Sequence, residues 1–215
     1  MYPTATRAQS TASLLGQVLG LTAVAFGLTA TTCYFGKGLP MGVAVVAMLL
    51  PLLLIFALFA ARKNEPLALT IFYGIAACEG VGLAPVIQHY LKTVGAGVIV
   101  EAAATTALGM AVLGLVAWTS SFDFRKLSGI SFALLLGLVI VGMIGLFFHF
   151  FTPTIYAWAT LAVFTLLVLV DFARIRAGGD GETAIELALG IYLDALNIFL
   201  ALLQIFGGSS SSKDD

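Results

Sequence analysis

Charge is what this chain has least of. Lysine, arginine, aspartate and glutamate make up 10% of its 215 residues, against about 25% in a soluble globular domain. A chain so poor in charge has too little polar surface to meet water on every side. The net charge of −1 leaves no basic face for nucleic acid, so no nucleic-acid partner is expected. There are two cysteines, Cys33 and Cys78. Both lie inside apolar runs, where they read as packing residues and not as a disulfide. The two histidines, His89 and His149, fall at predicted outer helix ends without ligand-like spacing, so they read as interfacial residues. Residues MYPTATRAQSTASLL at the start contain no short apolar core with a small-residue cleavage site, and no removable signal peptide is expected.

What the chain has is apolar length. It is 60% hydrophobic, with a mean hydropathy of +1.08. A bilayer-spanning helix needs about 20 apolar residues, and seven runs qualify: Leu14–Phe35, Leu39–Ala61, Leu67–His89, Val94–Trp118, Ile130–Phe151, Ile155–Phe172 and Ala184–Phe206. The expectation is an all-α membrane protein of seven transmembrane helices. Residues 1–13 form a cytoplasmic N-terminal segment, 14–206 the seven-helix domain, and GGSSSSKDD (207–215) a flexible tail. Pro40, Pro66 and Pro153 fall at helix starts, while Pro51 and Pro85 fall inside runs and should kink them. Trp118 and Trp158 read as interface aromatics. Lysine and arginine set the orientation. One side holds Arg7, Arg62, Lys63, Arg125, Lys126, Arg174 and Arg176, and the other holds Lys37, Lys92 and Lys213. This predicts an integral protein of a bacterial inner (plasma) membrane, N-terminus in the cytoplasm and C-terminus outside.

Against this background the acids in the last two runs stand out. At 100° per residue, Glu186, Gly190, Asp194, Asn197 and Gln204 fall within about an 80° sector of the seventh helix. Glu182 and Thr183 extend that stripe. A polar stripe on a spanning helix faces the bundle interior or a water-filled path, so the last helix is expected to be central, surrounded by the other six. Asn197 and Gln204 read as hydrogen-bonding glue between helices. Asp171 and Asp194 do not, because glue needs no charge. The RAGGDGE connection between them makes the sixth and seventh helices antiparallel, and contact requires the sixth helix to tilt or to continue through Ile175. Two carboxylates in contact cannot both ionise cheaply; they share a proton. The pair is therefore a candidate proton sensor, with Arg62 at the same level as a cation to hold it. Arg62 is otherwise a snorkelling anchor. Glu79 and Glu101, with the pair and with Glu186 and Glu182, are candidate ion-path acids. Such an oxygen lining suits a hard divalent cation, with Asp171 and Asp194 as calcium contacts. Glu79, in the small-residue stretch ACEGVG, reads equally well as a neutral packing residue.

Enzymes and receptors fit less well. The last helix has no lysine for a retinal. LSGIS at Leu127–Ser131 has no clearly placed histidine as base. No catalytic residues are assigned, no cofactor is expected beyond calcium as a permeant ion, and the chain is not read as an enzyme. A proton-coupled transporter stays open, though inverted repeats are lacking.

VDFARIRAGG and AIELALGIYLDALNIFLALLQIFG resemble the last two helices of the Bax inhibitor family, also called the transmembrane Bax inhibitor motif family. GLAPVIQHY and VEAAATTA resemble its third and fourth. The resemblance runs from Arg62 onward and is closest to the bacterial branch. It implies seven helices with the last one central. It also implies a pH-sensitive calcium leak, with an aspartate pair as sensor and an arginine as latch: by position Asp171, Asp194 and Arg62. The family's fourth-helix glutamate falls on Glu101, whereas Glu79 departs from the pattern. The reading is a monomeric calcium leak channel whose partners are the bilayer, calcium ions and protons. The latched state is expected to dominate at alkaline pH. Alternatives are a non-conducting regulator acting through other membrane proteins, or a proton/calcium exchanger.

Overall fold

The computed structural model describes residues 4–148 and 152–211, with side chains over 11–145 and 152–208. His149, the end of the fifth apolar run, Arg7's side chain and Lys213 lie outside the described side chains. Seven helices follow one another: α1 (Thr4–Phe35), α2 (Met41–Ala61), α3 (Glu65–Thr93), α4 (Ala96–Thr119), α5 (Ser128–Phe148), α6 (Pro153–Arg176) and α7 (Ala184–Ser211). All seven are long and apolar enough to cross a membrane, and no strand occurs among the described residues. The expected all-α, seven-span class is what the chain adopts.

Local chemistry sets the helix ends. Asn64 caps α3, its Oδ1 accepting the Leu67 N–H at 3.3 Å. Pro153 opens α6 behind Thr152, where a missing N–H costs nothing. Pro51 and Pro85 lie inside α2 and α3. Several helices outrun their apolar cores. Helix α1 begins at Thr4, ahead of Leu14; α3 continues past His89 to Thr93; α6 continues past Phe172 to Arg176; and α7 continues past Phe206 to Ser211. Polar residues propagate a helix as readily as apolar ones, so hydropathy marks the core of a span and not its ends.

The helices divide into two compact units. The first comprises Met1–Lys92 and Gly178–Tyr192. Here α1 and α3 meet closely at Gly80, where a Cβ would collide with the Thr32 hydroxyl and the Thr29 carbonyl. Tyr192, fully buried, packs tilted against Phe26 and edge-to-face against Phe72, with ring centroids at 5.1 and 6.0 Å. Its hydroxyl lies 2.8 Å from Thr29 Oγ1. Thr29 Oγ1 also stands 2.9 Å from the Ala25 carbonyl and 3.0 Å from that of Ala76. Its one proton serves those carbonyls, so Tyr192 donates.

The second unit comprises Thr93–Ala177 and Leu193–Asp215. In it the Tyr156 hydroxyl donates to the Leu138 carbonyl at 3.1 Å. Ala157, Ala201 and Ile205 form a buried apolar cluster with Leu161 and Phe206. Helix α7 supplies residues to both units, and 61% of its apolar stretch is buried, more than for any other span. Between α6 and α7 the backbone runs through four consecutive positive φ values: Gly178 (93°), Gly179 (93°), Asp180 (51°) and Gly181 (87°). Glycine enters this region without penalty and aspartate tolerates it, so GGDG forms the tight turn expected between these two helices.

Candidate functional site

Both aspartates of the predicted pair lie in the second unit and both are buried, Asp171 at 8% exposure and Asp194 at 5%. Asp171 lies at the end of the apolar run, and α6 continues beyond it as helix to Arg176. It shares a buried face of α6 with Phe164, Val168 and Ile175. Asp194 is flanked by Ala195 and Leu196, also buried. Asp171 lies close enough to Asp194 to act on it electrostatically, and so does Arg174. Arg174 Nη1 makes an ion pair with Asp171 Oδ1 at 3.4 Å, one helical turn away on α6. Asp194 Oδ2 is buried and accepts no hydrogen bond among the described residues. The centre is therefore two carboxylates and one guanidinium, with one carboxylate oxygen unsatisfied.

The other candidates are distributed differently. Arg62 follows the last turn of α2 in the first unit. It is exposed, and its guanidinium makes no ion pair among the described residues. Glu101 is exposed on α4. Glu79 is half-buried on α3 in the first unit, between the buried positions Ile75, Ala76, Gly82 and Leu83, and within electrostatic reach of Tyr192. Glu186 is buried but engaged: its Oε2 accepts the Thr183 N–H at 2.7 Å, while Thr183 Oγ1 accepts the Glu186 N–H at 3.2 Å. That reciprocal pair is a capping box at the start of α7. Glu182 is half-buried in the preceding turn, its N–H donating to the Gly179 carbonyl at 2.9 Å. No three acid, histidine or cysteine side chains converge as a metal cluster among the described residues.

Depth in the membrane selects Arg62 from the sequence and overlooks Arg174. The signal for Arg174 is local: Asp and Arg three residues apart on a helix are neighbours. T-x-x-E at Thr183–Glu186 was legible in the same way.

The model of the family described as inhibitor of apoptosis-promoting Bax1 matches residues 11–211. The chain belongs to the Bax inhibitor family. Among its relatives, an uncharacterized protein of Campylobacter jejuni is 31% identical over 74% of this chain and 69% of its own length. An uncharacterized membrane protein of Streptococcus pyogenes is 32% identical over 75% of this chain and 72% of its own. An uncharacterized protein of Lactococcus lactis is 31% identical over 79% of this chain and 75% of its own. With seven apolar helices and membrane-protein relatives, this Bax inhibitor family member is an integral membrane protein.

Proposed function

We propose that the chain is a pH-sensitive calcium leak of a bacterial inner membrane, gated at Asp171 and Asp194. Two things support this reading: the family's resemblance and the chemistry of the centre. The observation that carries it is the buried, unsatisfied Asp194 Oδ2 beside Asp171 and Arg174. A structural acid in a spanning helix finds hydrogen-bond partners; one left without them holds its charge state loosely and responds to protons and cations. Calcium takes six to eight oxygens, more than this pair supplies. The aspartates are therefore contacts along a path for a permeant ion and not a resident site. The N-terminus faces the cytoplasm in this reading.

The closed state is the ionised one. Unit charges about 4 Å apart attract by about 4 kcal/mol at an effective dielectric near 20, and the energy falls with distance. Between α6 and α7 the charges make one attraction, Arg174 to Asp194, and one repulsion, Asp171 to Asp194, while the Arg174–Asp171 pair lies within α6. Arg174 offsets the repulsion and, as a planar fork, adds charge-assisted hydrogen bonding to an ionised Asp194. Arg174 thus takes the latching role assigned by position to Arg62, tying α6 to α7 through Asp194. Protonation of Asp194 removes that attraction and releases the latch. Calcium uptake into liposomes holding only the purified chain, measured from pH 6 to 8, tests this. Flux should rise on acidification in the parent and lose that dependence in Asp171→Asn and Asp194→Asn. Curves unchanged in both variants would reject the sensor.

A further inference from the structure

Next to Asp171 and Arg174 is a second arginine that the gate as described does not use. Arg176, in the last turn of α6, reaches three backbone carbonyls at the end of α4. Its Nη1 donates to Ser120 at 2.8 Å and to Trp118 at 3.3 Å, and its Nη2 to Phe122 at 3.5 Å. Helix α4 ends at Thr119, so the Trp118 and Ser120 carbonyls are among those that a helix end leaves without intrahelical partners, and the Phe122 carbonyl lies in the connection just beyond. A cation there also meets the negative end of the α4 dipole. One turn back, the Phe172 ring lies against Gly114 of α4, where a Cβ would stand 3.1–3.3 Å from three ring atoms.

These contacts divide α6 into two working faces. Phe172 and Arg176 are four residues apart, about 40° on the helix, and point to α4. Asp171 and Arg174 are about 60° apart and centred roughly 150° away. A turn or shift of α6 that changes the electrostatic interaction of Asp171 with Asp194 must therefore either break the Arg176 contacts or carry the end of α4 with it. The Arg174–Asp171 pair lies within one helix, so it moves with α6 and fastens nothing to α4.

We propose that Arg176 is a positioning residue that joins the aspartate pair to the α4–α5 connection, so that the segment Ser120–Leu127 moves when the pair changes charge. This rests on the gate reading above. The other charged groups of the unit leave the role to Arg176. Glu101 is exposed on α4, Asp123 and Arg125 pair with each other at 2.9 Å, and Lys126 is exposed. Helix α5 carries no charge among its described residues, and α7 from Leu193 carries only Asp194.

Hydrogen–deuterium exchange of amides 120–127, corrected for the intrinsic effect of pH, reads the link directly, and calcium flux into liposomes reads the gate. In the parent, protection of 120–127 should fall on acidification together with the rise in flux. Arg176→Gln should remove the pH dependence of protection and cut the ratio of acid to alkaline flux at least threefold. Arg176→Lys, which keeps the charge but not the fork, should recover part of both. Asp171→Asn should make protection insensitive to pH. A merely structural arginine would lower the thermal midpoint and leave the flux ratio alone. Exchange that does not vary with pH in the parent overturns the proposal whatever the flux, as does a folded Arg176→Gln with parental curves. Should the parent pass no calcium, the gate reading fails by itself, and pH-dependent exchange lost in both Asp171→Asn and Arg176→Gln still supports the link. Should Arg176→Gln not fold, Arg176→Lys decides: parental exchange and flux curves overturn the proposal.

Discussion

Glu186 and Asp194 are two buried acids on one face of one helix, and they do opposite things. Glu186 is 8% exposed and Asp194 5%, so burial does not separate them. Their partners do. The Glu186 carboxylate closes a capping box with Thr183, in the unit where Tyr192 and Thr29 are also paired. Asp194 leaves an oxygen unsatisfied, in the unit that also holds Asp171 and Arg174. A polar stripe on a spanning helix is thus not one functional surface. Its first turn builds the helix, and its middle leaves a buried carboxylate oxygen without a hydrogen bond.

The strongest way to break the first unit is through its packing. Gly80→Ala puts a methyl where the Thr29 carbonyl and the Thr32 hydroxyl already sit. Backbone cannot yield as a flexible side-chain tip can, and overpacking of this kind costs about 1–3 kcal/mol, occasionally more. The thermal midpoint in detergent should fall by several degrees. A midpoint equal to the parent's would show that α1 and α3 separate at no cost.

Arg174→Gln and Arg62→Ala separate the two cations. Losing Arg174 removes the guanidinium that pairs with the Asp171 carboxylate at 3.4 Å. The loss of a charged hydrogen bond in a partly buried site is roughly 1–3 kcal/mol, and flux at alkaline pH should rise towards the acid value. Arg62, exposed beyond α2, should shift stability by less than about 0.5 kcal/mol, as surface changes do. A larger effect of Arg62→Ala than of Arg174→Gln on the flux–pH curve would return the latch to the second helix.

How far the sequence could be read follows from which forces leave a local trace. Seven spans were legible because the bilayer demands about 20 apolar residues in a row, and GGDG was legible as a tight turn because glycine marks positive φ. The pair Asp171/Asp194 was legible because charge is rare in lipid. The partners of those charges were harder. Arg174 is a neighbour along one helix and Arg176 a neighbour across two, and depth in the membrane distinguishes neither from Arg62. The division into two units left no visible mark, because contacts between apolar helices in a bilayer use the same residues as contacts with lipid.

A crossed pair of variants sharpens the contrast within α7. Glu186→Ala removes a cap and should cost about 1 kcal/mol without moving the midpoint of the flux–pH curve. Asp194→Asn replaces a buried carboxyl whose Oδ2 no hydrogen bond satisfies, so it should leave stability unchanged or raise it, while the pH dependence of flux disappears. The reverse pattern, with stability resting on Asp194 and pH response on Glu186, would invert the assignment of the stripe.

The smallest effect is expected where a charge pair sits outside the spans. Asp123 holds Arg125 through its side chain at 2.9 Å and accepts the Arg125 N–H at 3.2 Å. The hydrogen bond from Arg125 holds the Asp123 carboxyl below the usual carboxylate range. A carboxyl depressed in the folded state adds stability that is present above the unfolded value, about 3.9 for aspartate, and is lost as pH falls through the lower folded value. Its contribution should therefore be constant from neutral pH down to about pH 4 and fade only below that. The pair is half-exposed at the surface, and surface pairs are screened by salt and worth little. Asp123→Asn should leave flux between pH 6 and 8 as in the parent and change the thermal midpoint only slightly, less so in high salt. A flux curve that shifts in Asp123→Asn would place a second titrating group on the α4–α5 connection, and the pH response could then no longer be ascribed to Asp171 and Asp194 alone.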